Sequence, residues 1–429
     1  MDAAPAAGAM SGTHEHAPAV LNGPHDPDTA EGARPGGGEP WEGLPAEQQP
    51  SWHDHPGRGP AKARLAALPP LVTAAEVDAA HDALARVAEG EALLLQAGDC
   101  AETFAETTAD HTHAKASALA RLADALGAAA GLPVVRVGRM GGQFAKPRSR
   151  PTERVGDREL PVFRGEMVNG FEADATARRH DPARMLRAYD AGSRVLTVLA
   201  GLRGDDGTGP WAAHEALVLD YEGPLVRTDP ATGRRLLGST HLPWIGERTR
   251  RPDGAHVRLL ASVANPVACK IGPRARPEEV LRICAALDPD RRPGRLTLIV
   301  RMGADAIAGA LPPLLDAVRR AGHPVVWLSD PMHGNTRVTE DGLKTRHLER
   351  MVGEALLFRA ALERRKMHPG GLHLEVSADP VTECVGGSVT TEKHVSERYL
   401  TFCDPRLNTE QAHQLIDAWC RAPSISGSR

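Results

Sequence analysis

Long apolar runs are absent from this 429-residue chain, and no stretch approaches the roughly 18 uninterrupted apolar residues of a membrane-spanning helix. The N-terminus also lacks the basic-then-apolar layout of an export signal. A net charge of -4 supplies no cationic surface for nucleic acid or an anionic membrane. These absences predict a soluble, cytoplasmic protein with neither nucleic acid nor membrane among its partners. Paired cysteines are missing too. Cys100, Cys269, Cys284, Cys384, Cys403 and Cys420 stand far apart with no CxxC, which argues against a zinc ribbon or a secreted disulfide scaffold and predicts reduced thiols. No GxGxxG follows an apolar run and no Walker-type GxxxxGK motif occurs, so a nucleotide-cradling fold is disfavoured. Lysine is scarce: Lys62, Lys115, Lys146, Lys270, Lys344, Lys366 and Lys393 are the only seven among 51 basic residues. Arginine serves wherever any cation suffices, so each lysine asks for a reason.

What is present has a repeating order. Residues 1–60, rich in Ala, Gly, Pro, His and Glu without a helical or strand period, read as a flexible N-terminal arm, and residues 61–429 as the folded part. A helix is predicted over 73–89, where Thr73 and Glu76 stand at capping-box spacing. Eight short apolar runs follow, at 92–96, 133–137, 211–216, 239–245, 266–271, 296–300, 324–328 and 372–376, alternating with amphipathic stretches such as 345–364. From Thr240 to Val267, Leu296 and Pro324 the steps are 27, 29 and 28 residues, close to the ~30 of one βα unit. The expected fold is α/β, a (β/α)8 TIM barrel with an inserted loop region after strand 2, between Gly138 and Trp211; an open doubly wound sheet is the competitor.

In such a barrel, chemistry sits just after each strand. Those positions are charged almost throughout. Cys100, His333, Glu375 and Asp404 form a mixed thiolate, imidazole and carboxylate set that suits Mn, Fe, Co or Zn better than Mg or Ca. Read singly, a buried cysteine is most often inert packing and a His before Gly-Asn is often a turn residue, and for each residue alone that reading is the stronger one. Arg139, Lys146, Arg148, Arg248, Lys270, Arg301 and Lys344 include three of the scarce lysines and point to two anionic substrates, at least one phosphorylated. Salt bridges to Glu102, Glu215 and Glu247 are the alternative.

Several strings also resemble one family. Gln96-Ala97-Gly98-Asp99-Cys100-Ala101-Glu102, Lys146-Pro147-Arg148-Ser149, Trp244-Ile245-Gly246-Glu247-Arg248, Lys270-Ile271-Gly272-Pro273, Asp330-Pro331-Met332-His333-Gly334-Asn335 and Asp404-Pro405-Arg406-Leu407-Asn408 are similar to motifs of the type II 3-deoxy-D-arabino-heptulosonate 7-phosphate (DAHP) synthases, and the resemblance extends over about residues 52–422. It implies a (β/α)8 barrel that condenses phosphoenolpyruvate with erythrose 4-phosphate at the entry to the shikimate pathway. It implies a divalent ion on Cys100, His333, Glu375 and Asp404, with Mn2+ or Co2+ foremost and Zn2+ or Fe2+ next. Phosphoenolpyruvate is expected at Arg139, Glu247, Arg248, Lys270 and Arg301. Erythrose 4-phosphate is expected at Lys146, Pro147, Arg148, Ser149 and Lys344. Lys270, or a water held by Glu247, is the expected manager of protons, beside Arg248. A condensation with another sugar phosphate and a non-catalytic regulatory barrel are the alternatives.

The resemblance further implies a homo-oligomer and docking to a chorismate mutase. One departure stands out: the stretch 191–211 is too short for the extra helical pair of members controlled by aromatic amino acids, so weak inhibition by those amino acids and supply of a secondary pathway are expected. If Cys100 and Asp404 bind one ion, Cys403 approaches Cys100, and a disulfide there would be a redox off-switch; a reduced bystander thiol is the alternative.

Overall fold

Parallel strands are covered on both faces, so they read as unbroken apolar runs rather than alternating ones, and each of the eight runs becomes a strand. In the computed structural model, which describes residues 39–421, these are β1 (Leu93–Gly98), β2 (Val134–Arg139), β3 (Trp211–Glu215), β4 (Leu242–Ile245), β5 (Val267–Ile271), β6 (Leu296–Val300), β7 (Val326–Ser329) and β8 (Gly371–Glu375). They close into a barrel in the order β1-β8-β7-β6-β5-β4-β3-β2, every neighbour parallel. The fold is the expected (β/α)8 barrel.

Two helices precede β1, namely α1 (Arg58–Ala67) and α2 (Ala74–Ala88). The ring itself is α3 (Ala109–Ala130), α4 (Arg184–Leu202), a single turn at Leu219–Glu222, α5 (Ala255–Ala261), α6 (Pro277–Leu287), α7 (Ile307–Arg320), α8 (Leu348–Glu363) and α9 (Thr409–Arg421). The last helix packs between α8 and α3 and closes the ring. The expected capping box starts α2: Thr73 accepts the Glu76 N–H while Glu76 Oε2 accepts the Thr73 N–H at 2.8 Å. Its apolar face, Ala80, Ala83, Leu84 and Val87, joins Leu94, Val135, Trp211, Trp244 and Ile299 in one cluster and plugs the N-terminal end of the barrel. A Cβ on Gly294, which leads into β6, would lie 2.4 Å from the Ala85 nitrogen, so glycine is what lets α2 seat so closely. The opposite mouth is left open.

The N-terminal boundary differs from the expectation. Residues 1–38 of the predicted arm lie outside the described residues, but 40–60 are packed: Trp41 sits with Ile245, Ala255 and Leu259, and Trp52 with Leu65, Val218 and Tyr221. Two isolated tryptophans create no periodicity, yet burying each supplies about 4–6 kcal/mol of transfer free energy. The insertion after β2 holds a small antiparallel hairpin, Thr152–Val155 with Arg158–Pro161, and then runs into α4. From the end of α4, residues 203–210 lead directly to β3 without a second helix. No helix among the described residues is long and apolar enough to cross a membrane.

Candidate active site

Strand register assembles the site at the C-terminal mouth. Gly98, last in β1, pairs with Arg139 on one side and Glu375 on the other. Its φ is +145°, and a Cβ would lie 2.8 Å from the Arg139 carbonyl oxygen, so glycine is required for this approach. Cys100 follows two residues later. Its Sγ and one carboxylate oxygen each from Glu375 and Asp404 lie within 4.8 Å of one another, and the Asp404 N–H donates to Cys100 Sγ at 3.2 Å. His333 brings Nε2 to 3.2 Å from Glu375 Oε1 while its Nδ1 faces Asp330 Oδ2 at 2.7 Å. A carboxylate on one ring nitrogen fixes the tautomer and aims the other at a ligand. Of the four residues picked from the sequence as metal ligands, Cys100, Glu375 and Asp404 form one cluster and His333 reaches it at Glu375.

Cations bracket these carboxylates. Glu375 receives Arg139 Nη2 at 2.9 Å and Arg346 Nη1 at 2.7 Å, with Lys146 Nζ at 3.5 Å. Asp404 meets Lys146 at 3.4 Å and Lys344 at 2.7 Å. Burial alone raises a carboxyl pKa, but His333, Lys146, Arg346 and Arg139 outweigh it and hold Glu375 well below the usual range. Lys146 leads the same effect on Asp404. Cys100 moves the other way: burial, its hydrogen bond with Cys403 and the Glu375 charge push its thiol well up. A divalent cation is the charge that would restore the thiolate.

Two cavities meet here. One, of about 190 Å³, is lined by Arg139, Lys146, Pro147, Glu247, Arg248, Lys270, Arg301, His333 and Asp404. The other, of about 250 Å³, is lined by Lys146, Pro147, Arg148, Ser149, Arg248, Lys344 and Asp404. Lys146, Pro147, Arg248 and Asp404 form the common wall. The two groups of residues expected at two anions thus fall into two adjoining cavities. Arg248 Nη2 bonds Ser149 Oγ at 2.8 Å across the wall, and Arg301 Nη2 bonds the His333 carbonyl at 2.8 Å. Lys270 Nζ lies 2.9 Å from Asp330 Oδ2; burial lowers its pKa despite that carboxylate.

Two residues stand differently from what the sequence suggested. Arg139 lines the first cavity, but its guanidinium is already engaged by the Asp99 carbonyl, His373 and Glu375. Glu247 is held bidentately by Arg250, at 2.9 and 3.1 Å, so each of its oxygens already accepts one charged donor. The carboxyl with a free atom is Glu215: half-buried as a residue, raised in pKa by the desolvation of its carboxyl, and with a buried Oε1 lacking any hydrogen-bond partner.

Other participants were invisible in the sequence as roles. Arg346 is fully buried and ties Glu375 to the Pro405 carbonyl. Asp330 orients both His333 and Lys270. Beneath the cluster, Arg406 bonds Asp99 at 2.7 Å and Glu383 at 2.8 Å, and Lys115 bonds Asp99 at 2.7 Å. This chain of charges ties the Cys100 loop to the Asp404 loop. A signal did exist for Lys115, since it is one of the scarce lysines.

Comparison with known proteins matches this architecture. The Class-II DAHP synthetase family matches residues 38–209 and 205–418. A protein of Pseudomonas fluorescens named probable phospho-2-dehydro-3-deoxyheptonate aldolase is 48% identical over 387 residues, covering 89% of this chain and 96% of its own. The phospho-2-dehydro-3-deoxyheptonate aldolase of Streptomyces coelicolor is 40% identical over 433 residues, with the same coverage of 89% and 96%. Among solved structures, the phospho-2-dehydro-3-deoxyheptonate aldolase of Francisella tularensis superposes with a TM-score of 0.50 at 11% identity, covering 84% of this chain and 95% of that one, a likeness of fold alone. With most of its length matched in sequence, the chain belongs to the Class-II DAHP synthetase family, transferases of the shikimate pathway.

Proposed function

We propose that this enzyme condenses phosphoenolpyruvate with erythrose 4-phosphate, releasing phosphate and DAHP. The observation that carries the reading is the pair of cation-lined cavities joined at the Cys100, His333, Glu375 and Asp404 cluster. Two phosphorylated substrates can enter one from each side, with their reacting carbons at the common wall. Arg248, Lys270 and Arg301 hold the phosphate and carboxylate of phosphoenolpyruvate; Lys146, Arg148, Ser149 and Lys344 hold the phosphate of erythrose 4-phosphate. The donor set fits a divalent ion: a thiol, an imidazole already aimed by Asp330, and two carboxylates held ionised. When bound, the ion, Mn2+ or Co2+ foremost, supplies Lewis acidity toward the aldehyde oxygen.

C3 of phosphoenolpyruvate forms the bond to the aldehyde carbon, and the aldehyde oxygen takes up a proton to become a hydroxyl. Lys270, which lines the first cavity and is an ammonium made more acidic by burial, donates that proton. Water then adds to C2, and phosphate leaves by cleavage of its C–O bond to C2, carrying off the remaining proton of that water as the C2 carbonyl forms, its growing charge met by Arg248 and Arg301. Glu215, with a free buried oxygen in the cavity wall, receives the proton of the attacking water. Glu247 shapes the wall and holds Arg250 instead. On this reading the enzyme is cytoplasmic and a homo-oligomer, open to docking by a chorismate mutase, and the single helix before β3 favours a role in secondary metabolism, free of aromatic control. The test is phosphate release from phosphoenolpyruvate on addition of erythrose 4-phosphate, after EDTA treatment and after Mn2+ or Co2+ is restored, beside Cys100→Ser. Turnover that needs metal and Cys100 supports the reading. Turnover with a different aldehyde alone would select the sibling condensation.

A further inference from the structure

Gln48 is one of three non-glycine residues with positive φ among those described, at 62°. Glycine sits in that region without strain and a side chain does not, so attention falls on what the side chain reaches. Its Oε1 accepts the backbone N–H of Arg148 at 2.8 Å and lies 3.4 Å from Arg164 Nη2. The same Arg164 nitrogen donates to the Gln48 backbone carbonyl. Arg164 in turn accepts the Lys146 N–H on its own carbonyl, at 2.8 Å. One glutamine therefore grips the 146–149 run twice, directly at Arg148 and through Arg164 at Lys146.

That run needs external anchors. Residues 143–148 belong to no helix or strand, so their backbone polar groups draw partners from other parts of the chain, the Lys146 N–H from the Arg164 carbonyl and the Arg148 N–H from the Gln48 side chain. The segment carrying Gln48 is itself pinned on its other face: Leu219 N–H donates to Gln49 Oε1 at 3.0 Å and Trp52 Nε1 donates to Asp220 at 3.0 Å. These contacts make 48–52 a fixed strap between the barrel wall and the irregular loop.

We propose that Gln48 is a positioning residue for the second cavity, holding the Lys146 and Arg148 backbone so that the anion-binding side chains are arranged before substrate arrives. The inference rests on the assignment of that cavity to the sugar phosphate.

The test uses the full chain with two substitutions. Gln48→Gly suits the backbone conformation and removes the amide, so folding is not the variable. Gln48→Glu keeps an acceptor at the same reach. With phosphoenolpyruvate and erythrose 4-phosphate, the glycine variant is expected to raise KM for erythrose 4-phosphate by about 5- to 10-fold, the loss of one hydrogen bond's worth of arrangement. KM for phosphoenolpyruvate stays unchanged, and the glutamate variant restores wild-type values. Hydrogen exchange at the Arg148 amide reads the same role without any substrate: slow in wild type and in Gln48→Glu, fast in Gln48→Gly. Unchanged Arg148 exchange in the glycine variant would overturn the proposal, as would a rise of both KM values together. If the wild-type chain does not turn over erythrose 4-phosphate, it is the substrate assignment that falls, and exchange at Arg148 alone decides the role of Gln48.

Discussion

Replacing Glu354 with glutamine should change the pH dependence of stability. Glu354 lies on α8, fully buried, and stitches two mouth loops together: Oε1 accepts the N–H groups of Met302 at 2.7 Å and Gly303 at 2.8 Å, and Oε2 accepts Asn335 Nδ2 at 2.7 Å. Those loops carry Arg301 and His333. Burial pushes its pKa up from 4.5 to about 7, against the pull of the backbone donors. A carboxyl raised on folding stabilises the native state fully below its unfolded pKa, and that contribution is lost as pH rises through the folded one. At about 1.36 kcal/mol per pKa unit, wild type should lose about 3 kcal/mol between pH 4.5 and pH 7 from this residue. Glutamine does not titrate, so the variant escapes the loss. It also sets an amide N–H against the Asn335 donor, at an offset of about 1–3 kcal/mol that is the same at every pH. The assay is equilibrium denaturant unfolding of both proteins across pH 4.5–7.5. The difference between them should shift by about 3 kcal/mol in favour of Glu354→Gln as pH rises. A difference that stays flat would refute the reasoning and mean that Glu354 is ionised throughout.

Lys115→Met strips the buried Asp99 carboxylate of one of its two cationic partners and should destabilise by about 3–5 kcal/mol, read as a lowered unfolding midpoint; a change under about 0.5 kcal/mol would show that Arg406 alone suffices. Tryptophan, phenylalanine and tyrosine should inhibit weakly, given the single helix before β3; clear inhibition at physiological concentrations in a phosphate-release assay would contradict this. Cys100 and Cys403 share one buried cluster, and the Cys100 thiol lowers the Cys403 pKa, so two-electron oxidation by diamide should join them, abolish turnover and be reversed by dithiothreitol. Loss that persists in Cys403→Ser would exclude the disulfide.

The eight strands were legible because a fully buried parallel strand leaves its mark locally, as an unbroken apolar run with a helix to follow. The α2 cap was legible for the same reason: Thr73 and Glu76 are three residues apart. Arginine-rich composition made Lys146, Lys270 and Lys344 conspicuous, and all three line the cavities. Residues 40–60 were misjudged because Trp41 and Trp52 act singly, without a period. Their burial depends on surfaces contributed by Ile245 and Tyr221, far along the chain.

Sequence by itself determined the architecture and the inventory of charge at the strand ends. Which charge meets which was decided only by closure of the barrel. Gly98 at the junction of β1 with β8 brings Cys100 to Asp404, and Asp99 to Arg406 across 307 residues of sequence. Hydrophobic periodicity records which face of an element is buried. The partner of a buried ion is set by register and ring closure, so Glu247 is met by Arg250 while Glu215 keeps a free oxygen in the cavity wall.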